Sequence, residues 1–190
     1  MTKLCIDLCA GLGGFSEAFK DDYEVVTVDI VKKFKPTIVA DVCHLPFKKD
    51  LHPDVLLASP PCERFSIAAQ KWPRIGIKKA MELVGAVFEA IDYLKPKYYL
   101  IENPAGRLRW FLGTPKQTIR YSDYDLEYAF QKKTDLWGNI PLPMVKQLRT
   151  FKNYKKMVGG QHKRAALHAC IPLGVSLAVK QGVEQSEVSL

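Results

Sequence analysis

The chain has 190 residues, a net charge of +8, and 47% apolar against 25% charged residues, an ordinary globular composition that excludes a disordered, collagen-like or disulfide-scaffold protein. One domain of this length buries roughly 70% of its unfolded surface without bridges or metal. No apolar run approaches the ~20 residues of a membrane span and the N-terminus lacks the apolar stretch of a signal peptide, so a cytoplasmic protein is expected.

In chain order, residues 3–8 (KLCIDL) read as a buried strand, followed by the loop CAGLGG and a short helix through Phe19. Glycines at a strand–helix junction let backbone N–H groups approach a ligand at a helix N-terminus. The dinucleotide fingerprint GxGxxG is not met, because Ser16 stands at its third glycine. A P-loop is excluded for want of its Gly-Lys pair. Residues 24–29 form a second strand ending at Asp29, where an acid can bond a ribose hydroxyl. Residues 37–40 form a short third strand, and Asp41 follows where an adenine ring would lie. The set suits a nucleoside cofactor with no diphosphate to neutralise, such as S-adenosylmethionine. The alternative is a tight turn with two capping aspartates.

Residues 54–58 are a fourth strand, ending at Ser59-Pro60-Pro61-Cys62 with Arg64 close by. The prolines stiffen the turn. A strand-end cysteine near a cation can have a lowered pKa and act as a thiolate; the other reading is a small buried hydrophobe. The remaining cysteines (Cys5, Cys9, Cys43 and Cys170) form no CxxC pair, and free thiols are expected. Apolar residues at helical spacing predict a helix over 77–94, closed by Pro96. Residues 97–102 form a fifth strand running into Glu102-Asn103-Pro104. A glutamate ending an apolar strand is costly to desolvate without a task; a surface carboxylate is the alternative.

Residues 116–137 read as two further strands, QTIRYS and QKKTDLW, and residues 172–183 as a last helix with Pro172 in its first turn. Between them lies a basic stretch. Lys146 to Arg164 holds seven basic residues and no acid, with Phe151 and Tyr154 inside the run. This suits a phosphate backbone, or else a solubilising loop. Strand–helix alternation predicts an α/β fold, a mostly parallel sheet with helices on both faces. Ligands bind beyond the carboxyl ends of such strands, where the informative residues fall.

In this order and spacing, DLCAGLGGFSEAF, SPPCERFS and IENPAGR resemble the cytosine-C5 DNA methyltransferase family over about residues 3–137. The resemblance implies a Rossmann-like, seven-stranded methyltransferase sheet with an antiparallel strand at its far end. It implies S-adenosylmethionine held by Asp7, Cys9, Ala10, Gly11, Leu12, Gly13, Gly14, Phe15, Asp29, Ile30, Asp41, Val42 and Pro60, with no metal. Cys62 is then the nucleophile toward C6 of cytosine, and Glu102 the acid at N3. Arg64, Ser66, Asn103, Pro104, Lys133, Lys152, Lys155 and Lys156 are expected to contact DNA, with the target base flipped out of the duplex.

Several positions depart from the family pattern. Cys9 stands where Phe is usual, and Pro104 where Val is usual, as in phage-like members. Of the Gln-x-Arg-x-Arg motif only Gln131, Lys133 and Asp135 are offered, and IPLGVS (171–176) stands in for the late Asn-Ser-Val motif. The expected organisation is a catalytic core over 1–137, a basic segment over 138–170 in place of a recognition domain, and a helix and tail over 171–190 completing the core. A partner subunit or oligomer for target recognition is one expectation, in a prokaryotic or phage-infected cell. RNA as substrate, or a relic without activity, are the alternatives. Amino-group methylation is disfavoured, because those enzymes carry an aromatic where Cys62 stands.

Overall fold

The computed structural model describes residues 2–66, 75–125, 128, 132–143 and 170–188. The basic run, with Lys152, Lys155 and Lys156, and Gln131 lie outside these residues. The strands are β1 (Lys3–Leu8), β2 (Tyr23–Asp29), β3 (Ile38–Val39), β4 (Val55–Ala58), β5 (Tyr98–Pro104), β6 (Gln117–Arg120) and β7 (Lys133–Gly138). They form one sheet in the order β3-β2-β1-β4-β5-β7-β6. β1 to β5 pair in parallel, whereas β7 runs antiparallel to both β5 and β6. The α/β sheet and its antiparallel far strand match the expectation.

The helices are α1 (Ile77–Leu94), α2 (Arg109–Leu112), α3 (Tyr121–Tyr124) and α4 (Leu173–Val188). Two apolar layers sandwich the sheet. On one face α1 sets Ala80, Val84, Val87 and Leu94 against Ile6, Leu8, Leu56 and Ile101. On the other, α4 sets Val175, Ala178, Val179 and Val183 against Leu57, Leu100, Leu136, Phe15 and Phe19. The spacing of both sets is that of a helix with one buried stripe. β4 is buried at all four residues, as a parallel strand covered on both faces must be.

The largest departures from the expected boundaries fall at three places. The helix expected after the glycine loop is a single 3-10 turn, Glu17–Phe19. QTIRYS does not stay extended: the strand stops at Arg120, and Tyr121 opens the helical turn α3. The last helix begins after Pro172, whose carbonyl accepts from the Val175 and Ser176 N–H groups, and runs on to Val188. Among the described residues no helix is long and apolar enough to cross a membrane. β1 has β2 on one side and β4 on the other, so the crossovers diverge there and open a crevice at the strand ends.

Candidate active site

The crevice begins with the glycine loop. Cys9, Gly11 and Gly13 have φ of +56°, +54° and +75°, the left-handed region that glycine enters freely and a cysteine enters at a cost of roughly 1 kcal/mol. Asp29 at the end of β2 secures the loop. Its Oδ2 accepts the Gly11 N–H at 2.8 Å and its Oδ1 the Val31 N–H at 2.8 Å. Asp7 lies fully buried beneath the loop. Ser16, the residue standing in place of the fingerprint's third glycine, donates its hydroxyl to Asp7 Oδ2 at 2.8 Å, while Oδ1 has no hydrogen-bond partner among the described residues. Burial pushes the Asp7 carboxyl up to about 7. Cys9 sits among Asp7, Asp29 and Asp41; burial first, and then these charges, push its thiol up to about 12.

Two cavities meet at this loop. One, of about 510 Å³, is lined by Cys9, Ala10, Gly11, Leu12, Gly14, Phe15, Ser59, Pro60, Pro61, Cys62, Ser66, Glu102, Pro104, Lys132, Cys170 and Ile171. The other, of about 320 Å³, is lined by Asp29, Ile30, Asp41 and Val42 among others, and shares Cys9, Ser59 and Pro61 with the first. Asp41 Oδ1 accepts the Cys43 N–H at 2.9 Å, which holds its carboxyl below the usual value. Asp7 and Gly13 support the loop and line neither of these two cavities.

Cys170 and Ile171, just before α4, close the first cavity. A Cβ on Gly14 would come within 2.3 Å of the Ile171 carbonyl oxygen, so only glycine admits this approach. Ser176 Oγ donates to the Phe15 carbonyl at 2.7 Å and accepts the Ala18 N–H at 3.0 Å. The segment IPLGVS thus stands against the glycine loop, as the late motif of the resemblance implies.

Cys62 follows the Pro60-Pro61 turn. Fully buried Asn103 fixes this turn, its Nδ2 donating to the Pro60 carbonyl at 2.9 Å. Beyond Cys62 the chain makes a helical turn, with the Ser66 N–H on the Cys62 carbonyl at 2.8 Å, anchored by fully buried Phe65. Ser66 bridges Gly106, and the Arg107 N–H reaches the Phe65 carbonyl at 2.9 Å. The Cys62 loop and the Glu102-Asn103-Pro104 segment are therefore stitched together. The expected lowering of the Cys62 pKa is not found. Desolvation and then the Glu102 charge push the thiol up, against a downward pull from Lys132.

Glu102 is 5% exposed, near the carboxyl end of β5. Its Oε1 accepts the Tyr121 hydroxyl at 2.6 Å and the Thr134 hydroxyl at 2.8 Å, with Lys132 Nζ at 3.5 Å. The register explains this set. Glu102 pairs with Leu136, so Thr134 and Lys132 share its face of the sheet. Lys133, expected to contact DNA, falls on the opposite parity, is exposed and lines neither cavity, whereas Lys132 lines the first. Asp135 also faces away. It is fully buried, and Arg109 binds it through Nε and Nη2 at 2.5 Å each, with Thr118 Oγ1 at 2.8 Å. Asn103 is a brace rather than a cavity residue, and Arg64 lies outside both linings, whereas Ser66 and Pro104 lie within the first. Tyr121, Thr134 and Lys132 carried no local sequence signal.

The C-5 cytosine-specific DNA methylase family matches residues 4–119. A probable DNA (cytosine-5)-methyltransferase of Frog virus 3 (isolate Goorha) is 30% identical over 71% of this chain and 70% of its own. The type II methyltransferase M.AplI of Arthrospira platensis is 32% identical over 54% of this chain, which spans 32% of that protein. Among solved structures, a DNA modification methyltransferase encoded within an E. coli prophage aligns over 72% of this chain and 46% of its own, with a TM-score of 0.52 and 19% identity, a likeness of fold.

Proposed function

The chain belongs to the C-5 cytosine-specific DNA methylase family, and from that premise we propose that it methylates C5 of cytosine in DNA through a covalent adduct of Cys62. The observation that carries the reading is one cavity lined by the glycine loop, Cys62 and Glu102 together.

S-adenosylmethionine supplies an electrophilic methyl group when bound. The residues fit it. The larger cavity runs from the glycine loop to Cys62 and Glu102 and has room for the methionine part, and the adjoining one offers Asp29 and Asp41 to a nucleoside. Asp29 already accepts one N–H on each oxygen, and each oxygen keeps a lone pair for a ribose hydroxyl.

Cytosine C5 is a poor nucleophile. The Cys62 thiolate adds to C6, and the ring electrons pass toward C5 while Glu102 hydrogen-bonds or protonates N3. With the methyl group on C5, a base removes the C5 proton. The electrons then reform the C5–C6 double bond and expel Cys62 as thiolate. Asn103 keeps the Pro60-Pro61-Cys62 turn rigid, so that the sulfur meets the base in one geometry. The target base must leave the duplex to enter the cavity. The family matched is a DNA family, and nothing favours the RNA alternative.

The test is incubation with methyl-labelled S-adenosylmethionine and mixed-sequence DNA, followed by digestion to nucleosides. Label in 5-methylcytosine is expected. Label confined to amino groups, or found with tRNA and not with DNA, would overturn the reading.

A further inference from the structure

Glu102 presents its two oxygens to different surroundings. Oε1 receives the Tyr121 hydroxyl at 2.6 Å and the Thr134 hydroxyl at 2.8 Å. Lys132 Nζ stands 3.5 Å from both Oε1 and the Tyr121 oxygen, and 4.6 Å from the centroid of the Tyr121 ring. Among the described residues nothing donates to Oε2, and Glu102 lines the cavity that holds Cys62. From this asymmetry we infer that Oε2 is the oxygen that meets N3 of the flipped base, and that Tyr121 and Thr134 are positioning residues that make it so. The inference rests on the methylation reading above and deepens it.

A protonated carboxyl carries its proton on one oxygen only. A proton on Oε1 would face two hydroxyl protons already directed at that atom, and both donors would have to turn away. Tyr121 is fully buried, with its ring packed edge-on to Tyr128 at 5.3 Å, so its hydroxyl has little freedom to find another acceptor. The proton is thereby assigned to Oε2, and Oε1 keeps the carbonyl character that accepts hydrogen bonds. In the step itself, Oε2–H donates to N3 as the Cys62–C6 bond forms, and the proton returns to Oε2 when that bond breaks. Nothing is oxidised or reduced. Tyr121 and Thr134 touch neither base nor cofactor. They act through Glu102, much as the partner of one histidine nitrogen decides what the other nitrogen does.

These residues come from three separated segments. Tyr121 reaches Glu102 because β6 ends at Arg120 and the chain turns into α3, and Thr134 because β7 pairs with β5 in this register.

The test uses the full chain with steady-state methyl transfer to DNA. Tyr121→Phe and Thr134→Val are each expected to lower kcat about 10- to 100-fold, the scale of one hydrogen bond to a charged group. KM for DNA and affinity for S-adenosylmethionine should stay unchanged, and Thr134→Ser should restore the rate lost in Thr134→Val. In a Glu102→Ala background, single-turnover rates should show no further loss on adding Tyr121→Phe. Wild-type kcat in both Tyr121→Phe and Thr134→Val would overturn the inference and leave the methylation reading standing. So would a Tyr121→Phe loss of equal size in the Glu102→Ala background, since that marks a merely structural role. No 5-methylcytosine from the unaltered chain would overturn the methylation reading, and this inference with it.

Discussion

On the β1–β2 side of the crevice the backbone conformation shapes the site. The loop holds three residues at positive φ, and Asp29 accepts its Gly11 N–H as well as the nearby Val31 N–H. On the β5–β7 side the backbone is plain strand, and side chains from Tyr121, Lys132 and Thr134 converge on one carboxylate. The first arrangement is contiguous in sequence and depends on conformation. The second is assembled across the sheet and depends on register. Substitutions on the first side should therefore act on ligand affinity and stability, and those on the second on rate.

The largest effect belongs to Cys62→Ser. Methyl transfer should be abolished while calorimetric binding of S-adenosylmethionine survives; loss of both together would erase the division between the two sides. Next, Glu102→Gln should slow transfer about 10²- to 10⁴-fold, the range of general acid–base terms, again with cofactor binding intact. Lys132→Met should act more mildly through Cys62. The thiol already stands above its usual value, so kcat/KM should climb with pH toward the alkaline end. Removing the cation that pulls it down should move this limb to higher pH and lower the rate at pH 8 by about threefold to tenfold.

Two substitutions probe the other side. Gly14→Ala forces a Cβ against the Ile171 carbonyl and should cost about 1–3 kcal/mol of stability. The melting temperature and cofactor affinity should both fall, with kcat at saturation less affected. A last substitution concerns Asp7. Its carboxyl rises from 3.8 to about 7 in the folded chain, so the folded state holds a proton that the unfolded state releases. Asp7 thus favours folding most below pH 4, and the benefit fades as pH rises toward 7, by up to roughly 4 kcal/mol over about three pH units. Asp7→Asn should flatten that slope and raise the melting temperature at pH 8 relative to the unaltered chain. An unchanged slope would show that Asp7 titrates normally.

Most of the first side was legible before any fold was known. The strand, the glycine run and the two aspartates lie in short stretches whose periodicity and turn chemistry are local. Ser16 was read only as a missing glycine, and its bond to Asp7 explains a hydroxyl there. On the second side Cys62 and Glu102 were legible as candidates, and the side chains that touch Glu102 were not. The basic residue expected from the sequence was Lys133; the one that lines the cavity is Lys132, one position earlier. Side chains alternate across a strand, so a slip of one residue exchanges the cavity for the far face.

The sequence by itself determined the alternation of strands and helices, the glycine loop, Cys62 on its two prolines, and Glu102 on an apolar strand, because each is a local pattern of residue types. Only the tertiary structure decided that IPLGVS closes on Gly14, that Asn103 braces Pro60, and that Tyr121 and Thr134 meet one oxygen of Glu102. Those contacts depend on the antiparallel register of β7 between β5 and β6 and on the docking of α4, which arise from packing between distant segments.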